Sequence, residues 1–152
     1  MPILRDADRS YLQGLFSRNL RDPVTLTLFT QRESPLETPI PPCATCRETE
    51  EVLGELASLH DKVRLEVKDM VSSASEAQHY RLDNRLPVVV LHSPSSKGLL
   101  RYFGVPAGYE FAALVETIVD LSKGTTRLSP ASRGKVATLT KPVHIQVMVT
   151  PT

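Results

Sequence analysis

Cys43-Ala44-Thr45-Cys46 is the stretch on which the fold turns. Its cysteines are the only two in the chain, and they stand three positions apart. Upstream, Val24–Thr30 (Val-Thr-Leu-Thr-Leu-Phe-Thr) alternates and is rich in β-branched residues, the pattern of a strand. Downstream, Cys46–Leu59 sets Val52, Leu53, Leu56 and Leu59 on one helical face and Glu48, Glu50, Glu51 and Glu55 on the other. Val63–Asp69 then alternates strictly, with Val63, Leu65 and Val67 against Arg64, Glu66 and Lys68, as an edge or half-exposed strand does. A strand, a helix and a strand in this order predict a parallel pair with the helix packed on the sheet. The cysteines fall where that helix begins.

Outward from this unit, the remaining elements follow from periodicity. Tyr11, Leu12, Leu15, Phe16 and Leu20 recur at helical spacing, so Asp6–Leu20 is read as a helix, ended by Asp22-Pro23. Gln31–Pro42 carries Pro35, Pro39, Pro41 and Pro42, which exclude helix and central strand. It is read as a surface loop, partly polyproline II: in the simplest reading a tolerated insertion, in the functional one a rim that shapes access to Cys43. Ser72–Tyr80 reads as a short helix capped by Ser72 or Ser73, with Glu76 in its first turn. Pro87–Leu91 is an unbroken apolar run, the mark of a buried strand. After a turn at His92–Gly98, Leu99–Phe103 is a further strand, able to pair antiparallel with it. Gly104-Val105-Pro106 breaks that strand, and Tyr109–Leu121 is a helix with Phe111, Leu114, Val115, Ile118, Val119 and Leu121 on its apolar face. The fold class is therefore α/β: a mixed four-stranded sheet with helices on both faces.

The end of the chain adds Ala131–Leu139, read as a short helix, and Pro142–Val149, read as a strand. Pro23–Phe29 and Pro142–Met148 both start Pro-Val, alternate with aliphatics and follow a helical segment. This pattern predicts an internal repeat whose second copy stops after its first strand. The expected organisation is one unit over 1–124, then a linker with the first helix and strand of a second, truncated unit over 125–152. An apolar strand with open edges invites pairing. Val143–Val149 is thus expected to pack on its parent domain or to join a second chain as a homodimer.

Composition excludes several classes. The 152 residues are 41% hydrophobic and 23% charged, ordinary globular usage that argues against disorder throughout. Lys and Arg number 18 against 17 Asp and Glu, a net charge of +1 that supplies no global field for nucleic acid or an anionic membrane. No apolar run approaches the ~20 residues of a membrane span. The opening Met-Pro-Ile-Leu-Arg-Asp-Ala-Asp-Arg has acids where a secretory signal carries apolar residues, so a cytoplasmic protein is expected. Two cysteines are too few for a disulfide-stapled secreted scaffold.

A helix start exposes unpaired N–H groups and the positive end of the dipole, and both favour a thiolate. Cys43 is therefore the expected nucleophile, with a lowered pKa. Cys46, about one turn on, is near enough to attack a mixed disulfide formed at Cys43. Arg47 would favour the thiolate, and Glu48, Glu50 and Glu51 would oppose it. A zinc site within one chain needs two more ligands, and His60, His79, His92 and His144 show no paired ligand spacing. A metal linking Cys43 and Cys46 of two chains is a third reading. The seven glycines never form Gly-x-Gly-x-x-Gly, so no nucleotide cofactor is expected. Pro87 opens an apolar strand; a cis Leu86–Pro87 bond would make that turn a built feature.

These residues resemble the thioredoxin-like superfamily. More narrowly, the chain is similar to the first unit of the two-unit, glutaredoxin-like protein disulfide oxidoreductases of prokaryotes. The likeness is carried by Asp6-Ala7-Asp8, Cys43-Ala44-Thr45-Cys46, Leu86-Pro87, the run Arg101-Tyr102-Phe103-Gly104-Val105-Pro106-Ala107-Gly108-Tyr109-Glu110-Phe111, and the ending Val149-Thr150-Pro151-Thr152. The resemblance implies that Cys43 attacks and Cys46 resolves. It also implies that Pro87 is the cis-proline facing the disulfide and that Leu86 offers its backbone to an extended substrate, with Ala44 and Thr45 completing the substrate-binding set. The implied partners are a disulfide-containing protein and a recycling reductase or glutathione. In such families a second unit with its own Cys-Pro-x-Cys follows a Val-Thr-Pro-Thr ending. The chain departs from the family pattern in the long loop before Cys43 and in Ala44-Thr45, where pairs containing proline are usual. Those departures keep a second expectation open, a redox-weak scaffold or docking module.

Overall fold

The computed structural model of the chain describes residues 3–32 and 40–150. Helix α1 spans Asp6–Asn19 and leads into strand β1, Val24–Thr30. Helix α2 spans Cys46–Ser58 and strand β2 Val63–Asp69. A short helix α3 (Ala74–His79) precedes strands β3 (Val88–His92) and β4 (Leu100–Phe103). Helix α4 covers Tyr109–Lys123 and helix α5 Pro130–Ala137. The predicted elements up to α5 thus form, with ends shifted by a residue or two.

The sheet has the order β2-β1-β3-β4. β1 and β2 run parallel from Val24↔Val63 to Thr30↔Asp69. β1 and β3 are antiparallel, with Leu26 opposite Leu91 and Leu28 opposite Val89. β3 and β4 are antiparallel, with Val88 opposite Phe103. Because side chains alternate across a strand, these registers sort the sheet into two apolar faces. One face carries Leu26, Leu28, Val89 and Leu91 against Leu12 and Phe16 of α1, Leu53 and Leu56 of α2, and Leu114 and Ile118 of α4. The other carries Phe29, Val88 and Val90 against Met70, Ala77 of α3 and Ile40. Burying one such aliphatic or aromatic side chain is worth about 1.5–3 kcal/mol, so the first, larger cluster dominates stability.

The start of α3 is held by other means than the expected serine cap. Ser73 is the N-cap of α3 but makes no side-chain capping bond. The Asp69 carboxylate instead accepts the N–H groups of Val71 (3.1 Å) and Ser72 (2.9 Å). At the far pole, buried Ser122 donates to the Asp22 carbonyl at 2.6 Å and accepts the Arg21 N–H at 2.9 Å, locking α4 to the start of β1. The N-terminal segment is pinned to α2 by Glu55, which accepts from the N–H groups of Ile3 and Leu4 and pairs with Arg9 at 3.2 Å.

Two expectations are corrected. The strand predicted over Pro142–Val149 does not form: residues 142–150 enter no ladder among the described residues. A strand is held by cross-strand bonds, and alternation alone cannot supply them. Nor does this segment pack on the parent domain, since Ile145 and Val147 are each 79% exposed and Met148 is 88% exposed. His144 Nε2 lies 3.5 Å from Nη2 of Arg101 on β4. The proline-rich loop is also less uniformly superficial than expected. Pro41 and Pro42 are exposed, but Ile40 is buried at 7% in the second cluster. Its stretch over 33–39, with Pro35 and Pro39 and the proposed access rim, lies outside the described residues.

Candidate active site

Cys46 is the first residue of α2, and Thr45 is its N-cap with φ −121° and ψ 6°. The Thr45 side chain makes no capping bond; its carbonyl takes both the N–H (3.0 Å) and the hydroxyl (2.9 Å) of buried Thr49. This closes the first turn from inside and leaves the first N–H groups of α2 directed out of the helix start. Cys43 stands two residues before the cap, in a non-helical stretch.

The two sulfurs are joined in a disulfide of 2.10 Å, with Cα atoms 5.6 Å apart. Their environments differ. Cys46 is buried at 3%, whereas Cys43 is half-buried and reachable from solvent. The exposed Arg47 side chain turns to Glu51, an i,i+4 pair at 3.0 Å. An exposed pair of this kind contributes about 0–1 kcal/mol, and Glu51 largely offsets the charge Arg47 would offer a thiolate. The start of α2 is an electropositive feature beside Cys43 that this pairing leaves in place.

Leu86–Pro87 is a cis peptide bond. Pro87 is buried, and Leu86 packs partly into the second cluster. The residue after Pro87, Val88, lies opposite Phe29 near the end of β1. Gln31, just past that end, accepts the Cys43 N–H at 3.0 Å. The register therefore brings Leu86-Pro87 and the cysteine motif to one end of the sheet. Ala44 and Thr45 form the turn between the sulfurs, Ala44 exposed and Thr45 half-buried.

Asp83, Arg85 and Gln31 sit at this end with nothing in the local sequence pattern to mark them. Arg85 pairs with Asp83 at 2.7 Å and lays its guanidinium 4.6 Å from the centroid of the Phe103 ring. That pairing holds the Asp83 carboxyl below the usual carboxylate range, chiefly through the Arg85 side-chain hydrogen bonds. Tyr102 donates its hydroxyl to the Val105 carbonyl at 3.3 Å; burial, with the nearby Glu110 charge, pushes its phenol above its ordinary value. In the sequence Gln31 is no more than the first residue of the proline-rich loop. A lone glutamine after a strand gives no local signal of a contact twelve positions away.

Among the described residues, no helix is long and apolar enough to cross a membrane, and no group of three or more His, Cys, Asp or Glu is placed to hold a metal ion.

The βαβ unit, the antiparallel β3–β4 pair, the flanking helices and the disulfide at the start of α2 define a thioredoxin-like fold. The chain is similar to a protein disulfide oxidoreductase from Aeropyrum pernix K1, with a TM-score of 0.79 and 24% identity over 97% of this chain and 60% of that one. It is also similar to the NTD_N/C domain of the alkylhydroperoxide reductase AhpF from Enterococcus faecalis (V583), with a TM-score of 0.73 and 23% identity over 91% of this chain and 62% of that one. The chain thus spans about three fifths of the length of these structures. No family model and no curated protein matches it.

Proposed function

We propose that the protein is a thiol–disulfide oxidoreductase acting on disulfide-containing proteins through Cys43 and Cys46. The observation that carries this reading is the asymmetry of the pair: a half-buried Cys43 bonded to a buried Cys46 at the start of α2. An accessible sulfur can be attacked from outside or attack outward; a buried one reacts only with its neighbour. The similarity to a protein disulfide oxidoreductase agrees with this reading.

In the reducing direction, the Cys43 thiolate attacks one sulfur of a substrate disulfide. A mixed disulfide forms, and the other substrate sulfur leaves as a thiolate and takes up a proton. Cys46, once deprotonated, attacks the Cys43 sulfur, which releases the second substrate thiol and closes the Cys43–Cys46 bond. Two electrons pass to the substrate, and the protein is left oxidised. The dithiol pair is itself the redox group. A recycling reductase or glutathione restores the dithiol by the same exchange. Leu86 and Pro87 would border the approaching substrate segment, with Ala44 and Thr45 on its other side.

The test is reduction of insulin by the dithiol protein, with dithiothreitol or glutathione as the recycling thiol. Cys43→Ser is expected to fall to the uncatalysed rate. Unchanged activity would reject the assignment and leave the fold as a redox-weak docking module.

A further inference from the structure

Gln31 lies one residue beyond β1, and its carboxamide grips the chain that returns to the redox motif. Its Oε1 accepts the backbone N–H of Cys43 at 3.0 Å. Its Nε2 donates to the Ile40 carbonyl at 3.2 Å. Ile40 is itself anchored, buried among Phe29, Met70, Ala77, Val88 and Val90. On the other side of Gln31, the Arg32 N–H donates to Asp69 Oδ2 at 3.1 Å. The end of β1 is thereby tied to the cysteine through one side chain, across the long loop.

The geometry points to Gln31 as a positioning residue for the attacking sulfur: its carboxamide holds the Cys43 backbone so that the sulfur keeps its place beside the first turn of α2. Stabilisation of a thiolate by N–H groups and a helix dipole falls off within about one turn, so a cysteine on a loosely held loop loses much of it. The Gln31 side chain supplies the hold without a charge of its own. Glutamate there would keep the acceptor for Cys43, lose the donor to Ile40 and set an anion beside the thiolate. Glutamine is the side chain of this length that meets all three demands.

This inference rests on the reading of Cys43 as the attacking sulfur. Its test reads the thiol directly, so a protein inert on insulin still decides it. The reduced full-length chain is alkylated with iodoacetamide across a pH series, and modification of Cys43 is followed by mass spectrometry. Gln31→Met, similar in length but without either hydrogen bond, is expected to alkylate about threefold more slowly below the thiol's midpoint. At high pH, where the thiol is fully ionised, the rates should converge. Gln31→Glu is expected to fall further at low pH. If Gln31→Met does not fold, Gln31→Asn, one methylene shorter and unable to span both contacts, is read in its place with the same expectation. An unchanged profile in the neutral variant overturns the proposal, as does a loss confined to Gln31→Glu. So does an equal loss at every pH, which would signal altered access rather than altered ionisation.

Discussion

The Gly104 N–H donates to the Pro87 carbonyl at 2.9 Å, tying the loop after β4 to the residue directly before β3. Gly104 reaches this position with φ +95°, a backbone conformation that side-chain-bearing residues rarely adopt. A Cβ built there meets nothing within 4 Å, so the glycine is required by its backbone and not by crowding. Gly104→Ala is expected to cost about 1–2 kcal/mol, read as a lower urea midpoint at unchanged m-value. A midpoint equal to the parent's would refute the argument.

The unequal burial of the two sulfurs predicts unequal mutants. Cys46→Ser leaves an accessible Cys43 with no neighbour to resolve it, so mixed disulfides with substrate should accumulate. Cys43→Ser leaves only the buried Cys46, and no such adduct should form. Mass spectrometry after incubation with an oxidised peptide separates the two; equal trapping by both variants would contradict the assignment of roles.

Ile40 is the apolar anchor of the chain returning to the motif. Ile40→Ala removes a side chain that is 7% exposed and leaves a cavity against Phe29 and Val88. A loss of about 2–4 kcal/mol is expected by denaturant unfolding of the reduced protein. A loss below ~1 kcal/mol would show that the site collapses without it.

Asp69 predicts a pH dependence. The Ser72 N–H, followed by those of Arg32 and Val71, holds its carboxyl below the ordinary aspartate value against the opposing effect of burial. A folded-state pKa below the unfolded one contributes stability that is present above the unfolded value and lost as pH falls through the folded value. Between about pH 5 and pH 2 the thermal midpoint of the parent should therefore fall about 2 °C further than that of Asp69→Asn. Parallel curves for the two proteins would rule this out.

The exposed end predicts tolerance. Val143, Ile145, Val147, Met148 and Val149 are each more than half exposed. Deleting residues 140–152 is expected to move the thermal midpoint by less than about 2 °C. A larger drop would mean that the segment is buried in solution, against its own domain or a second chain, and light scattering of the intact protein tells these apart.

Local pattern was enough for β1 and β2, whose predicted bounds match the structure residue for residue, and for α2 beginning at Cys46. Strict alternation and an amphipathic stripe are properties of neighbouring residues, and the parallel pairing of β1 with β2 follows from the helix between them. The same logic did not carry to Val143–Val149. Val143, Ile145 and Val147 alternate with His144 and Gln146 much as the residues of β2 do, yet a strand exists only where another edge accepts its hydrogen bonds.

By itself, then, the order of residues determined the alternating elements, the two-faced sheet and the placement of two sulfurs one turn apart at a helix start, because each depends on spacing along the chain. Only the tertiary structure decided that Cys46 is buried and Cys43 accessible, that Ile40 turns inward, that Gln31 reaches Cys43 and that Gly104 meets Pro87. Those outcomes depend on which distant segments share space, and contacts between distant segments leave no periodic trace in the residues that make them.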